Sequence, residues 1–171
     1  KKPLRSIRLQ PDDCKACQEA LDAIEIADLI IMGPGSLYTS ILPNLLIKDI
    51  RDAVLQSDAY KVFIMNAMTQ PGETTGMSAW DHLNVILDHT DPRIVDSCFV
   101  NTTVISPAML ERYAAQGAAP VKLDIEKIRE KGYRIIRGDV LQKGDQVRHD
   151  SELLMKLVLG DYNEHIKQTK D

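Results

Sequence analysis

Two stretches of the chain are apolar without alternation, Leu29-Ile30-Ile31-Met32 and Val62-Phe63-Ile64-Met65. Unbroken runs of this length suit central parallel strands buried on both faces. Residues 94–100 read as a third strand. A short strand at 121–123, a short helix at 124–131 and a strand at 133–137 follow. A weak strand at 7–9 stops at Pro11. Between these runs the apolar period lengthens to that of a helix. Cys17, Ala20, Leu21 and Ile24 form the core-facing stripe of a helix over 14–26. Ile47, Ile50 and Val54 face inward from 46–56, with Lys48, Asp49, Arg51 and Asp52 outward. A helical turn at 37–42 is expected to break at Pro43. Ser78 and Asp81 have the spacing of a capping box, opening a helix that buries Trp80, Leu83 and Leu87. Ser106 and Pro107 open another that ends at Gly117. The last helix spans 151–159, and the polar residues after Gly160 read as frayed.

Strands alternating with helices predict an α/β fold with a mainly parallel sheet. Open parallel sheets bind ligands outside the carboxyl ends of their strands. The segments after Met32, Met65 and Val100 are therefore where chemistry is expected.

Composition narrows the function. A chain of 171 residues is one domain of ordinary size. With 44% hydrophobic and 27% charged residues it reads as globular. Its net charge of −4 excludes the basic footprint of a nucleic-acid binder and a polybasic membrane patch. A spanning helix needs about 20 apolar residues, and the apolar runs here are far shorter, so no membrane insertion is expected. The start, Lys1-Lys2-Pro3-Leu4, has neither Met nor a signal h-region, which points to a cytoplasmic protein or a piece of one. Three cysteines are an odd set for a disulfide framework. Cys14 and Cys17 form C-x-x-C without a second pair for zinc, and read as core or cap residues.

The strand ends carry the chemistry. Gly33-Pro34-Gly35-Ser36-Leu37-Tyr38-Thr39-Ser40 combines glycines, which let a ligand approach the backbone, with hydroxyls and a helix start suited to phosphate. It is neither a Walker A nor a G-x-G-x-x-G loop, and a plain strand-to-helix turn explains the same residues. The loop at 66–78 is long for an α/β connection and rich in Asn66, Thr69, Gln70, Glu73, Thr74 and Thr75. A surface excursion is the alternative. Asp81-His82 and Asp88-His89 are adjacent on helices and cannot act as face-to-face acid–base pairs. Asp81 is a cap and His82 reads as solvated. Arg148 precedes the last helix, where it could reach a phosphate or stay on the surface, with Asp150 or Ser151 as cap. No catalytic constellation is found.

Residues 27–40, from Ala27 to Ser40, together with Pro43-Asn44-Leu45-Leu46, resemble the gluconeogenesis factor family, the YvcK-like branch of the CofD-like superfamily. Asn66-Ala67-Met68-Thr69-Gln70-Pro71-Gly72-Glu73-Thr74, Asp81-His82 and Arg148-His149-Asp150 match in the same order. The resemblance implies a Rossmann-like, doubly wound sheet, of which residues 1–160 form the carboxyl-terminal part of a single CofD-like α/β domain and 161–171 a polar tail. It implies a cytoplasmic regulator that binds a nucleotide sugar such as UDP-N-acetylglucosamine and supports gluconeogenic growth, cell-wall synthesis and cell shape in bacteria. By position Gly33, Gly35, Ser36, Thr39 and Asn44 would form the ligand-facing loop, Asn66, Thr69 and Gln70 the neighbouring strand end, and Tyr113 and Arg148 further contacts. The superfamily also holds 2-phospho-L-lactate transferase, which would use a deazaflavin acceptor and Mg²⁺. That branch has Gly-Pro-Ser-Asn-Pro where this chain has Gly33-Pro34-Gly35-Ser36, a departure that favours the regulatory branch. A scaffold with a vestigial site is the third alternative, and homo-oligomerisation stays open.

Overall fold

The structure, a computed structural model, describes Leu4, residues 6–142 and residues 144–169. Its elements are α1 (Gln18–Glu25), β1 (Leu29–Met32), α2 (Leu42–Leu46), α3 (Lys48–Gln56), β2 (Tyr60–Ile64), α4 (Ala79–His89), β3 (Ser97–Asn101), α5 (Pro107–Ala115), α6 (Ile125–Glu130), β4 (Arg134–Gly138) and α7 (Ser151–Thr169). The strands form one parallel sheet in the order β1-β2-β3-β4. Leu29 pairs with Tyr60, Val62 with Ser97, and Ser97 with Arg134.

That register sends alternate side chains to two separate cores. Met32, Phe63, Cys98 and Val100 face one, closed by Leu37, Ile41, Leu42, Val54, Leu83, Ile86 and Ile128. Tyr60, Val62, Ile64, Phe99 and Ile136 face the other, closed by Leu154 and Val158 of α7. Apolar layers on both faces are the reason β2 reads as a continuous run, and they make the sheet doubly wound in the Rossmann-like manner. β1 is not the doubly buried central strand its run suggests: it is the edge strand, and Ile31 is exposed because no further strand or helix covers it among the described residues. All five residues of β2 are buried, Lys61 included; its ammonium donates to the carbonyls of Ser57 (2.8 Å) and Ala59 (3.0 Å). Burial pushes the Cys98 thiol well above its ordinary range. Among the described residues no helix is long and apolar enough to cross a membrane.

Several boundaries differ from the sequence pattern, each for a physical reason. Residues 7–9 form no strand; this end is held instead by Leu4, whose N–H donates to the Glu73 carbonyl and whose carbonyl accepts from the Tyr38 hydroxyl. α1 begins at Gln18, because Cys17 is extended (ψ 148°) at the N-cap and Cys14 donates its thiol proton to the Pro11 carbonyl. Cys17 is exposed rather than part of the stripe. Pro43 does not break the helical run. A π-helical turn over Leu37–Ile41 passes straight into α2, where Pro43 sits in the first turn and its missing N–H is not needed. β3 starts only at Ser97, since Pro92–Ile94 close a 3-10 turn capped by Asp91. The expected strand at 121–123 is reduced to single bridges, Pro120 to Met68 and Lys122 to Ser78. The polar end after Gly160 is not frayed: α7 continues to Thr169. Tyr162 and His165 pack on Tyr60, whose hydroxyl donates to Asp161 (2.6 Å). Lys1, Lys2 and Pro3 lie outside the described residues.

His82 is the clearest reversal. It is 1% exposed rather than solvated. The capping box around it is as expected: Ser78 Oγ accepts from the Asp81 N–H and Asp81 accepts from the Ser78 N–H. Asp124 then clamps the same helix start, accepting from Trp80 N–H and Ser78 Oγ, both at 2.8 Å. With that start in place, His82 joins Ala79, Leu83 and Ile86 on the buried i, i+3, i+4, i+7 stripe. Its Nδ1 donates to the Ser78 carbonyl (2.8 Å), which leaves Nε2 a buried acceptor without a partner among the described residues. Burial lowers the His82 pKa from the ordinary 6.5, against the opposing pull of the Ser78 carbonyl and of Asp81 and Asp124. Burial also lowers that of His149. In the unfolded chain both take up a proton more readily than in the fold, so stability is full above pH 6.5 and falls as pH drops below it. Urea melts from pH 8 to pH 5 should show this loss, with a smaller slope in His82→Gln. Equal slopes in the two proteins would refute the assignment.

Candidate functional site

The connections that leave the carboxyl ends of β1, β2 and β3 build a cavity of about 330 Å³, together with Val147 and His149 from the segment after β4. The β1 connection turns at Gly33, with φ +92°, a backbone region that favours glycine. Its space is also full, since a Cβ there would stand 2.7 Å from the Ile64 carbonyl oxygen of β2. This close approach folds the 33–36 turn over the top of β2. Ser36 then caps the π-helical turn, accepting from the Thr39 N–H (3.1 Å) and the Thr39 hydroxyl (2.6 Å). It gives its own proton to the Glu73 carboxylate (2.6 Å). The Ser36 and Thr39 hydroxyls expected to greet a phosphate are thus engaged with the protein itself. π-helical turns of this kind recur at functional sites.

The β2 connection supplies the other wall. Asn66 donates to the Gly35 carbonyl (2.8 Å) and ties the two loops together. Thr69 is buried, its N–H donating to the Ala119 carbonyl (2.7 Å) and its hydroxyl accepting from the Ala119 N–H (3.0 Å). The Gln70 N–H donates to Thr74 Oγ1 (2.8 Å) at the start of a compact polar turn. These bonds convert a long loop into a fixed wall. From the far side Tyr113 of α5 accepts the Val147 N–H on its hydroxyl (3.0 Å).

Six of the ten residues expected at the site therefore line one cavity: Gly35, Ser36, Asn66, Thr69, Gln70 and Tyr113. Gly33 lies beneath it as the spacer against β2. Thr39 and Asn44 are exposed on the helical segment, Asn44 donating to the Ser40 carbonyl (2.6 Å). Arg148 is exposed, between Val147 and His149, which both line the cavity. Its neighbour His149 is the residue the sequence pattern passes over. Leu141 and His149 form an antiparallel bridge, which alternates the side chains, so His149 turns inward and meets Phe99 edge-on at 5.9 Å. A period-two reading of 147–149 would have flagged it. Asp150, not Ser151, caps α7, accepting from the N–H groups of Glu152 and Leu153.

A larger recess of about 760 Å³ lies at the opposite, amino-terminal ends of β1 and β2. It is lined by Glu25, Asp28, Asp49, Asp52 and Asp58. Five carboxylates repel an anionic ligand, and the end of the sheet is the wrong one for an open parallel fold. The smaller cavity is the candidate site. Among the described residues no group of three or more His, Cys, Asp or Glu side chains is placed to hold a metal ion, the Cys14–Cys17 pair included.

Known proteins are similar to this chain in sequence and in fold. The gluconeogenesis factor of Halalkalibacterium halodurans is 43% identical over 159 residues, covering 92% of this chain and 49% of that protein. That of Bacillus subtilis is 40% identical over 157 residues, covering 91% and 50%. A crystal structure of a Bacillus halodurans protein superposes with a TM-score of 0.90 at 42% identity, covering 92% of this chain and 51% of that one. A second structure of that protein, described as a member of the UPF0052 family, gives 0.85 at 44% identity, covering 87% and 48%. The chain thus spans about half the length of the relatives it matches. The family profile described as "2-phospho-L-lactate transferase CofD" matches residues 1–141. With its parallel sheet, its strand-end cavity and these relatives, the chain belongs to the CofD family, on the gluconeogenesis factor side of it.

Proposed function

We propose that this chain contributes the strand-end half of a nucleotide-sugar site, of the UDP-N-acetylglucosamine type, in a cytoplasmic regulatory protein. The whole protein then supports gluconeogenic growth, cell-wall synthesis and cell shape in a bacterium. One observation carries the reading: Gly35, Ser36, Asn66, Thr69, Gln70 and Tyr113, distant in sequence, line a single cavity at the carboxyl ends of β1 and β2. Hydroxyl, amide and phenol groups suit a polyhydroxylated ligand, and the volume suits one part of it rather than all. The exposed Arg148, flanked by two lining residues, is free to fold toward a phosphate at the mouth.

Calorimetry of the full natural chain with UDP-N-acetylglucosamine tests the reading. Heat of binding is expected, and none at high micromolar ligand would sink it. Arg148→Ala should weaken binding by about 1.5–3 kcal/mol, the range for a hydrogen bond to a charged group. Unchanged affinity would remove Arg148 from the site.

The matching profile's description favours one second reading, phospholactyl transfer to a deazaflavin with Mg²⁺. The described residues do not fit a metal site, so no step through a metal is drawn from this chain. Turnover of both substrates with Mg²⁺ would decide for the transferase.

A further inference from the structure

The cavity at the ends of β1 and β2 is polar yet, among the described residues, no Asp, Glu, Lys or Arg lines it. Most of its polar groups are engaged with the protein, as the Ser36–Glu73, Asn66–Gly35, Thr69–Ala119 and Tyr113–Val147 bonds show. Two side chains stand apart. Gln70 Oε1 and His149 Nε2 are buried and unpartnered among the described residues. The other two atoms in that condition, on His82 and Ser97, belong to residues outside the lining. Buried polar atoms are almost always paired, and an unpaired one costs stability with no structural return. Two in one cavity, on different loops, point to a ligand. His149 is held in place by the fully buried Phe99, so its ring is preorganised.

We infer that Gln70 and His149 form the reading face of a neutral subsite that takes an uncharged ring bearing an amide or imide group. The diphosphate then lies outside the cavity. This inference rests on the nucleotide-sugar reading above. A uracil base and an N-acetylated sugar share the required chemistry. Each offers an N–H for the Gln70 oxygen and a C=O for an imidazole N–H. An ionised diphosphate has no proton to give that oxygen, and nothing in the lining would compensate its charge.

The experiment is calorimetry on the full natural chain, as wild type, Gln70→Leu and His149→Phe, with UDP-N-acetylglucosamine, UDP and inorganic pyrophosphate. Each variant should bind UDP-N-acetylglucosamine at least tenfold more weakly and leave any pyrophosphate binding unchanged. The ligand-free Gln70→Leu protein should melt at the wild-type temperature or about 2–4 °C above it. A purely structural role for Gln70 would lower that temperature. An equal loss on UDP places the base on the pair, and wild-type affinity for UDP places the sugar there; both support the subsite. If His149→Phe fails to fold, His149→Asn replaces it. Variants that hold UDP-N-acetylglucosamine as tightly as wild type overturn the subsite alone, as does a matching loss of pyrophosphate. A wild-type chain that binds no UDP-N-acetylglucosamine overturns the nucleotide-sugar reading and the subsite with it.

Discussion

Gly33→Ala is expected to destabilise the protein by roughly 3–5 kcal/mol, among the largest effects of any single substitution in the chain. Two costs add. The residue sits at φ +92°, where a Cβ meets its own backbone. That Cβ would also lie 2.7 Å from the Ile64 carbonyl oxygen and 3.2 Å from Ile41 Cδ1. The carbonyl belongs to β2 and cannot withdraw without parting it from its neighbours. Thermal melts should show a drop of roughly 10 °C or more for a domain of this size. Gly35→Ala is the control. A Cβ at Gly35 meets its nearest neighbour, Ser40 Cβ, at an ordinary 3.5 Å, and its φ is not positive. It should melt within a degree or two of wild type while perturbing the cavity it lines. If both alanine variants melt alike, the close approach at Gly33 is not what holds the turn.

Deleting residues 161–171 should cost about 3–5 kcal/mol, summed from lost charge-assisted hydrogen bonds and lost aromatic burial. The deletion removes Asp161, which accepts from the Tyr60 hydroxyl (2.6 Å) and pairs with Arg134 (2.9 Å). It also removes His165, stacked on Tyr60 at 4.4 Å, and Gln168, which accepts from Arg134. Tyr60 is 2% exposed, and its hydroxyl pKa is pushed far up by burial first and by Asp161 second. Uncovered, it would leave the amino end of β2 open to water. Chemical denaturation of the shortened chain measures the loss. A frayed polar end would predict no change, and an unchanged midpoint would return these residues to that role.

The two predictions separate what was legible from what was not. β2 was legible because it is buried on both faces, and burial leaves an unbroken apolar run; β1 carries a similar run although it lies at the sheet edge with Ile31 exposed. The start of α4 was legible because a capping box is a local hydrogen-bond pattern, and Ser78 and Asp81 form it as spaced. The candidate cavity lies at the strand ends, where the parallel-sheet rule directs attention. Its membership did not follow from that rule. Thr39 and Asn44 share a motif with Ser36, yet the π-helical turn carries them to the exposed side. His149 was hidden behind Arg148 because charge draws attention while a bridge to Leu141 decides which side chain turns inward. His82 looks solvated beside an aspartate, yet its place on the Ala79–Leu83–Ile86 stripe buries it. The end of α7 could not be read at all. Its residues are polar, and the partners that hold them, Tyr60 and Arg134, lie on two other strands.

By itself, then, the amino-acid order determined the features that rest on near neighbours in sequence: the apolar run of β2, the Ser78–Asp81 capping box and the parallel α/β class. Only the tertiary structure decided which polar side chains share one cavity, which two of them remain unpaired there, and which polar tail is a packed helix. The physical reason is range. Period and capping are set within about one turn of chain, whereas pairing and burial depend on residues as far apart as Tyr60 and Asp161.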